Sequence, residues 1–145
     1  MSAVESVDRL IERFNLAQGE LVKGNAQPAN ELFSPRDDVT LANPYGPPVR
    51  GWEEVAAVGE HAASQARDGE LTSVEVVAKH VTPELAYVVQ IERPKAKLGA
   101  REDITPFALR VTMIFRSEED GEWKIVHRHA DPITTPQPAE SVIQE

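Results

Sequence analysis

Residues 31–51 read ELFSPRDDVTLANPYGPPVRG. Structure changes several times within this short span. Glu31–Phe33 ends a helical stretch, because Ser34-Pro35-Arg36-Asp37 is a turn in which the residue before proline resists helical angles. Asp38–Ala42 follows as a short strand, and Asn43 stands where that strand stops. Pro44, Pro47 and Pro48 then stiffen the chain, and a third helix begins at Trp52.

Outward from this segment, the pattern agrees. Upstream, Val4, Val7, Leu10, Ile11 and Phe14 recur at helical spacing, with Glu5, Asp8, Glu12 and Arg13 on the other side, which predicts an amphipathic helix over 3–17. A short second helix is expected around Pro28–Phe33, because proline is tolerated in a first helical turn. Downstream, Trp52–Ala66 carries a third apolar stripe, ended by Asp68-Gly69.

Beyond it the period changes. LTSVEVVAKHV (71–81), ELAYVVQIE (84–92), PFALRVTMIFR (106–116) and EWKIVHRHA (122–130) are rich in Val, Ile, Tyr and Phe and separated by turn signals. Consecutive strands of this kind imply an antiparallel meander, with RPKAK (93–97) at a solvated hairpin tip. Pro132 stops the last strand, and residues 133–145 form an extended tail. Helix, helix, short strand, helix and long strands make an α+β domain. A curved sheet with helices on one face leaves Val77, Thr112 and Ile114 on the other, so a homodimer through the sheet is expected.

Composition narrows the function classes. Twenty-four acidic against fifteen basic residues give a net charge of −9, which argues against nucleic acid or anionic lipid as a partner. No cysteine is present, so thiolate catalysis and thiolate metal sites are excluded. No apolar run is long enough to span a bilayer. The N-terminal stretch carries acids early and does not read as a signal peptide, so a cytoplasmic protein is expected.

The order of elements resembles the nuclear transport factor two-like superfamily, the cone-shaped, cystatin-like fold of ketosteroid isomerases and SnoaL-like proteins. Two stretches carry the resemblance: residues 31–51, and GEWKIVHRHADP (121–132), which is similar to a SnoaL-like closing strand. It covers almost the whole chain, 1–132 forming the domain. The resemblance implies three helices on a curved, mainly antiparallel sheet. It also implies a small-molecule pocket, with isomerase- or cyclase-type chemistry on a hydrophobic carbonyl compound as the enzymatic reading and non-catalytic ligand binding or a structural dimer as the alternative. Where the isomerase has its carboxylate base, this chain has Asn43, and an amide cannot take a proton from a carbon acid. The isomerase's oxyanion donors correspond to places near Ala17 and Val111, neither of them polar. Ketosteroid isomerase chemistry is therefore not expected, and nothing asks for a cofactor.

Several residues remain candidates. Asn43 either stands at a rigid pocket rim beside Tyr45 or merely caps a turn. Arg128, placed toward the cone with Val126 and Ala130 by the resemblance, would bind a carboxylate or enolate oxygen, or else pair internally with Glu92. His80 shares one side of its strand with Val74, Val76 and Ala78; on the cone side it would be a general base, otherwise a satisfied histidine at a core edge. Trp52, Tyr87 and Met113 would join Tyr45 around a small hydrophobic or anionic ligand. His127 and His129 share a face with Trp123 and Ile125; no third ligand accompanies them, so no metal site is assigned.

Overall fold

The computed structural model describes residues 1–144. Helix α1 runs from Ala3 to Leu21, a turn beyond the amphipathic stretch read from the sequence. Ser2 caps it by accepting the Glu5 amide at 3.1 Å. Its buried stripe is Val7, Leu10, Ile11, Phe14, Ala17 and Gln18. Helix α2 is the single turn Gln27–Asn30, with Pro28 in its first turn. Strand β1 (Thr40–Ala42) pairs antiparallel with β2 (Val49–Arg50), so the proline-rich segment between them is a closed loop. Helix α3 spans Trp52–Ser64 and starts after Gly51, whose φ of 92° suits only glycine.

Four long strands follow: β3 (Ala66–Val81), β4 (Leu85–Leu98), β6 (Leu109–Ser117) and β7 (Trp123–Asp131), with the two-residue β5 (Thr105–Pro106) pairing with β4. The sheet order is β2-β1-β7-β6-β4-β3, antiparallel except where β1 lies parallel to β7. The meander is thus present, and β1 closes it by adding to the far side of the last strand. The Ser34 amide donates to Ile125 O at 2.9 Å, and the Ile125 amide donates to Leu32 O at 3.0 Å, tying the end of the α2 region to the same strand. The architecture is an α+β cone, three helices on a curved mixed sheet. Its core packs Phe14, Val88, Val111, Met113, Phe115 and Ile125. Residues 133–144 are exposed and contain one 3-10 turn, Ala139–Val142. Among the described residues, no helix is long and apolar enough to cross a membrane.

Asp68-Gly69 and RPKAK depart most from their sequence reading. Asp68-Gly69 does not end α3 but lies inside β3, which already begins at Ala66. Asp68 takes a left-handed φ of 53°, and a Cβ on Gly69 would lie 2.7 Å from both Val22 O and Lys95 O. The close approach of three backbones, rather than a helix stop, is what this glycine permits. RPKAK is no hairpin tip either. It continues β4, with Pro94 and Ala96 buried and Lys95 and Lys97 paired at 3.0 Å with Glu70 and Asp68 of β3. Alternation explains this, since the apolar residues of the stretch face in and the charged ones out.

Bulges decide which face each side chain takes. In β3 the register shifts between Val76 and Ala78: Val76 opposes the inward Gln90, whereas Ala78 opposes Val89 and His80 opposes Tyr87. The extra residue reverses the alternation, so His80 leaves the side occupied by Val74 and Val76. In β7 a second shift falls between the partners of Ile114 and Phe115, leaving Val126 as the extra residue. Ile125, Arg128 and Ala130 consequently point inward, and His127 and His129 outward. The expectation that Ile125 shares a face with the histidines is corrected by this bulge, while the half-buried Val126 still packs against the core.

Candidate functional site

A cavity of about 320 Å³ lies inside the cone between the helices and β1, β6 and β7. Phe14 and Gln18 come from α1, because positions 14 and 18 are one turn apart on its inner face. Ala29, Asn30 and Phe33 come from the α2 region, Gly59 and Ala62 from α3, and Arg128 and Ala130 from β7. Leu98, Phe107, Leu109, Tyr45 and Pro132 also line it. The wall is mostly carbon, with Gln18, Asn30, Asn43, Tyr45 and Arg128 as the polar side chains. Such a mixture fits a small organic molecule held by a few directional contacts. A wider groove of about 860 Å³ runs between α1 and β3, but it lies open along the surface, and its ion pairs Asp8–Lys79 and Glu20–Lys23 close on themselves.

Arg128 is the most constrained of these groups. It lies directly opposite Met113 on β6 and reaches across that strand to Glu92 on β4. Nη1 donates to Glu92 Oε2 and Nη2 to Oε1, each at 2.8 Å, and the guanidinium sits 4.8 Å from the centroid of the Phe14 ring. Glu92 is fully buried, and its Oε2 also accepts the Gln90 amide at 3.1 Å. Gln90 Oε1 is buried with no partner. Of the two roles open to Arg128 in the sequence, the internal pair with Glu92 is the one present, yet Arg128 still forms part of the cavity wall.

Asn43 likewise fills both of its readings. Its Oδ1 accepts the Tyr45 amide at 3.0 Å, an Asx turn, and the residue lines the cavity. Tyr45 packs edge-on against His61 of α3, with ring centroids 6.3 Å apart. Burial pushes the Tyr45 phenol above its ordinary value, so it stays protonated and can donate. A side cavity of about 220 Å³ shares Asn43 and Tyr45 with the cone and has His61 on its wall. Asn30 clasps α3 by donating to Ala56 O at 3.3 Å, and Gly59 leaves room for it, since a Cβ there would lie 2.4 Å from Asn30 Oδ1.

The other candidates lie elsewhere. His80 is exposed on the outer face beside Tyr87, with ring centroids 5.9 Å apart, so neither reaches the cone. The bulge after Val76 is the reason, and the role of His80 as a general base in the cone is withdrawn. Met113 is fully buried beneath the guanidinium, its sulfur 3.7 Å from Arg128 Nη1. Trp52 donates its indole N–H to Asn30 O at 3.4 Å and packs against the core outside the cavity wall. Both support the cavity rather than face it. His127 accepts from or donates to Thr40 Oγ1 at 2.8 Å, and His129 meets Asp131 at 2.9 Å. Burial first, and the neighbouring His129 second, hold His127 below its ordinary value. Among the described residues no group of three His, Cys, Asp or Glu stands together as a metal site. Gln18 lies just past the amphipathic stretch read over 3–17, on the last turn that carries α1 to Leu21; its i+4 relation to Phe14 is the signal in the sequence.

Residues 11–134 match the SnoaL-like domain. The chain belongs to that family. Solved structures of similar shape include a ketosteroid isomerase-like protein from Erwinia carotovora atroseptica, at 16% identity, covering 90% of this chain and 96% of that one with a TM-score of 0.74. A nuclear transport factor two-like superfamily protein from Salmonella enterica serovar Typhimurium is also 16% identical, covers 94% of both chains and has a TM-score of 0.75. A protein of the same superfamily with a cystatin-like fold, from Novosphingobium aromaticivorans, is 17% identical, covers 99% of this chain and 90% of its own, with a TM-score of 0.65. At these identities the likeness establishes the fold. No curated protein matches this SnoaL-like sequence significantly.

Proposed function

We propose that this SnoaL-like protein holds a small hydrophobic carbonyl compound inside its cone, with the carbonyl oxygen turned toward the polar groups of the wall. The observation that carries this reading is the 320 Å³ cavity itself, lined largely by apolar side chains with Arg128, Gln18, Asn43 and Tyr45 among them. Binding without turnover is favoured, because among the described residues no carboxylate or histidine lines the cone and Asn43 follows the end of β1 where the family resemblance would place a base. Isomerase- or cyclase-type chemistry is the second reading. It draws support from His61, whose imidazole packs edge-on against Tyr45 on the wall of the adjoining side cavity.

The protein works as a dimer in the cytoplasm on this proposal. Tyr87, Val89, Ile91, Thr112 and Ile114 face away from the core and form a surface suited to a second copy. The absence of cysteine suits a reducing compartment as well as any other.

A panel of aromatic and alicyclic ketones tests the pocket, read by amide chemical shifts. Binding should perturb Phe14, Gln18, Phe33 and Ala130, and Ala130→Trp, which fills the cavity, should abolish it. Perturbations confined to the outer face, or binding that survives Ala130→Trp, would refute the assignment.

A further inference from the structure

Arg128 invites an anionic ligand when the sequence is read alone, but its charge is already spent. The guanidinium is held bidentately by Glu92, and that carboxylate is fully buried behind it, away from solvent that would screen it. Arg128 and Tyr45 are the titratable side chains among the described residues of the cavity wall, and the Tyr45 phenol is neutral. With Glu92 counted, the walls of the cone carry no net charge.

We infer that the cone selects an uncharged molecule bearing an acceptor oxygen, and that Glu92 is the residue that turns anions away. This rests on the proposal that the cone binds a small molecule. A carboxylate entering an apolar cavity gives up its hydration, and only attraction to Arg128 would offset that loss. Glu92 lies just behind the guanidinium, and Coulomb repulsion falls only inversely with distance, so it cancels much of that attraction. A ketone or amide oxygen loses far less hydration on entry and still finds donors. Nη1 and Nη2 each spend a hydrogen on Glu92, whereas Arg128 Nε and the second Nη2 hydrogen have no protein partner among the described residues. Gln18 adds a second uncharged group. It is 6% exposed, lines the cavity, and its carboxamide makes no hydrogen bond among the described residues. An amide of this kind can serve a carbonyl or hydroxyl, but it cannot neutralise a charge.

A matched pair of probes tests this: 2-acetonaphthone, which is neutral, and 2-naphthoate, which has the same ring system and a carboxylate. Titrations followed by amide chemical shifts at Phe14, Gln18 and Ala130 report both affinity and place. The parent should bind the ketone at least about tenfold more tightly than the carboxylate. Glu92→Gln, which leaves the guanidinium uncompensated, should raise naphthoate affinity about tenfold or more while changing ketone affinity less than about threefold. The double variant Glu92→Gln with Arg128→Gln has no buried charge and serves if the single variant does not fold; it should keep the preference for the ketone. Equal or tighter binding of naphthoate by the parent, or a Glu92→Gln protein that still rejects it, would overturn the inference and leave the pocket proposal standing. A parent that binds neither probe in the cone would overturn both.

Discussion

Replacing Arg128 by Met tests the buried ion pair at the heart of the sheet. Methionine approximates the arginine stem, so little cavity should result, but it carries no charge and no donor. Glu92 would remain fully buried, with the Gln90 amide at 3.1 Å as its remaining side-chain donor. Removing one member of a buried pair costs about 3–5 kcal/mol, because the other charge stays desolvated and uncompensated. A domain has only about 5–15 kcal/mol in all. At roughly 2–4 °C per kcal/mol for a chain of this size, the Tm should fall by about 6–20 °C. Glu92→Leu combined with Arg128→Met replaces both charges with carbon, and it should return to within about 1 kcal/mol of the parent or exceed it. Urea denaturation of the parent, both single variants and the double variant at neutral pH yields the coupling energy directly. If Arg128→Met unfolds within about 1 kcal/mol of the parent, or the double variant costs the sum of the singles, the pair is not the buried, mutually dependent unit described here.

Two further outcomes follow from other parts of the molecule. Arg116 donates to Asp38 at 2.7 Å and to Glu118 at 3.0 Å. The Arg116 hydrogen bond holds the Asp38 carboxyl below its ordinary value; for Glu118, burial pushes upward, but hydrogen bonds from Ser34 and Arg116 outweigh it. Because both values are lower folded than unfolded, this stability is present above the unfolded carboxylate range, about pH 4, and is lost as pH falls through the folded values. Arg116→Gln should therefore destabilise most near neutral pH, by about 1–2 kcal/mol, and the denaturation curves should converge with the parent as pH falls through the folded values; a gap independent of pH would refute the linkage. On the outer face, Ile114→Lys should leave a folded monomer in sedimentation experiments if the proposed dimer forms through this face, whereas a parent that is monomeric at every concentration would remove the dimer from the proposal.

Much of the frame was open to a one-dimensional reading. Helical spacing from Val7 to Phe14 and alternation through residues 109–117 record which side of each element meets carbon and which meets water. Pro35, Gly51 and Pro132 punctuate through their own backbone geometry, so the element order, and with it the family resemblance, needed no coordinates. Asn43 and Arg128 could be named as candidates because the family resemblance assigns each a place along its strand.

What the sequence by itself determined, then, is the order of elements, the meander, an amide rather than a carboxylate at position 43 and the net charge of −9. Tertiary structure alone decided the faces and the pairings. One inserted residue after Val76 turns His80 outward, and another at Val126 sets Ile125 beside Arg128, because a bulge reverses a two-residue period without leaving a mark in residue type. Glu92 and Arg128 stand 36 residues apart and on strands separated by β6, so their bidentate contact depends on register across three strands. Local propensity acts over a few residues, whereas register is set by the packing of the whole sheet. That packing makes Arg128 a neutralised wall of the cone instead of a free cation.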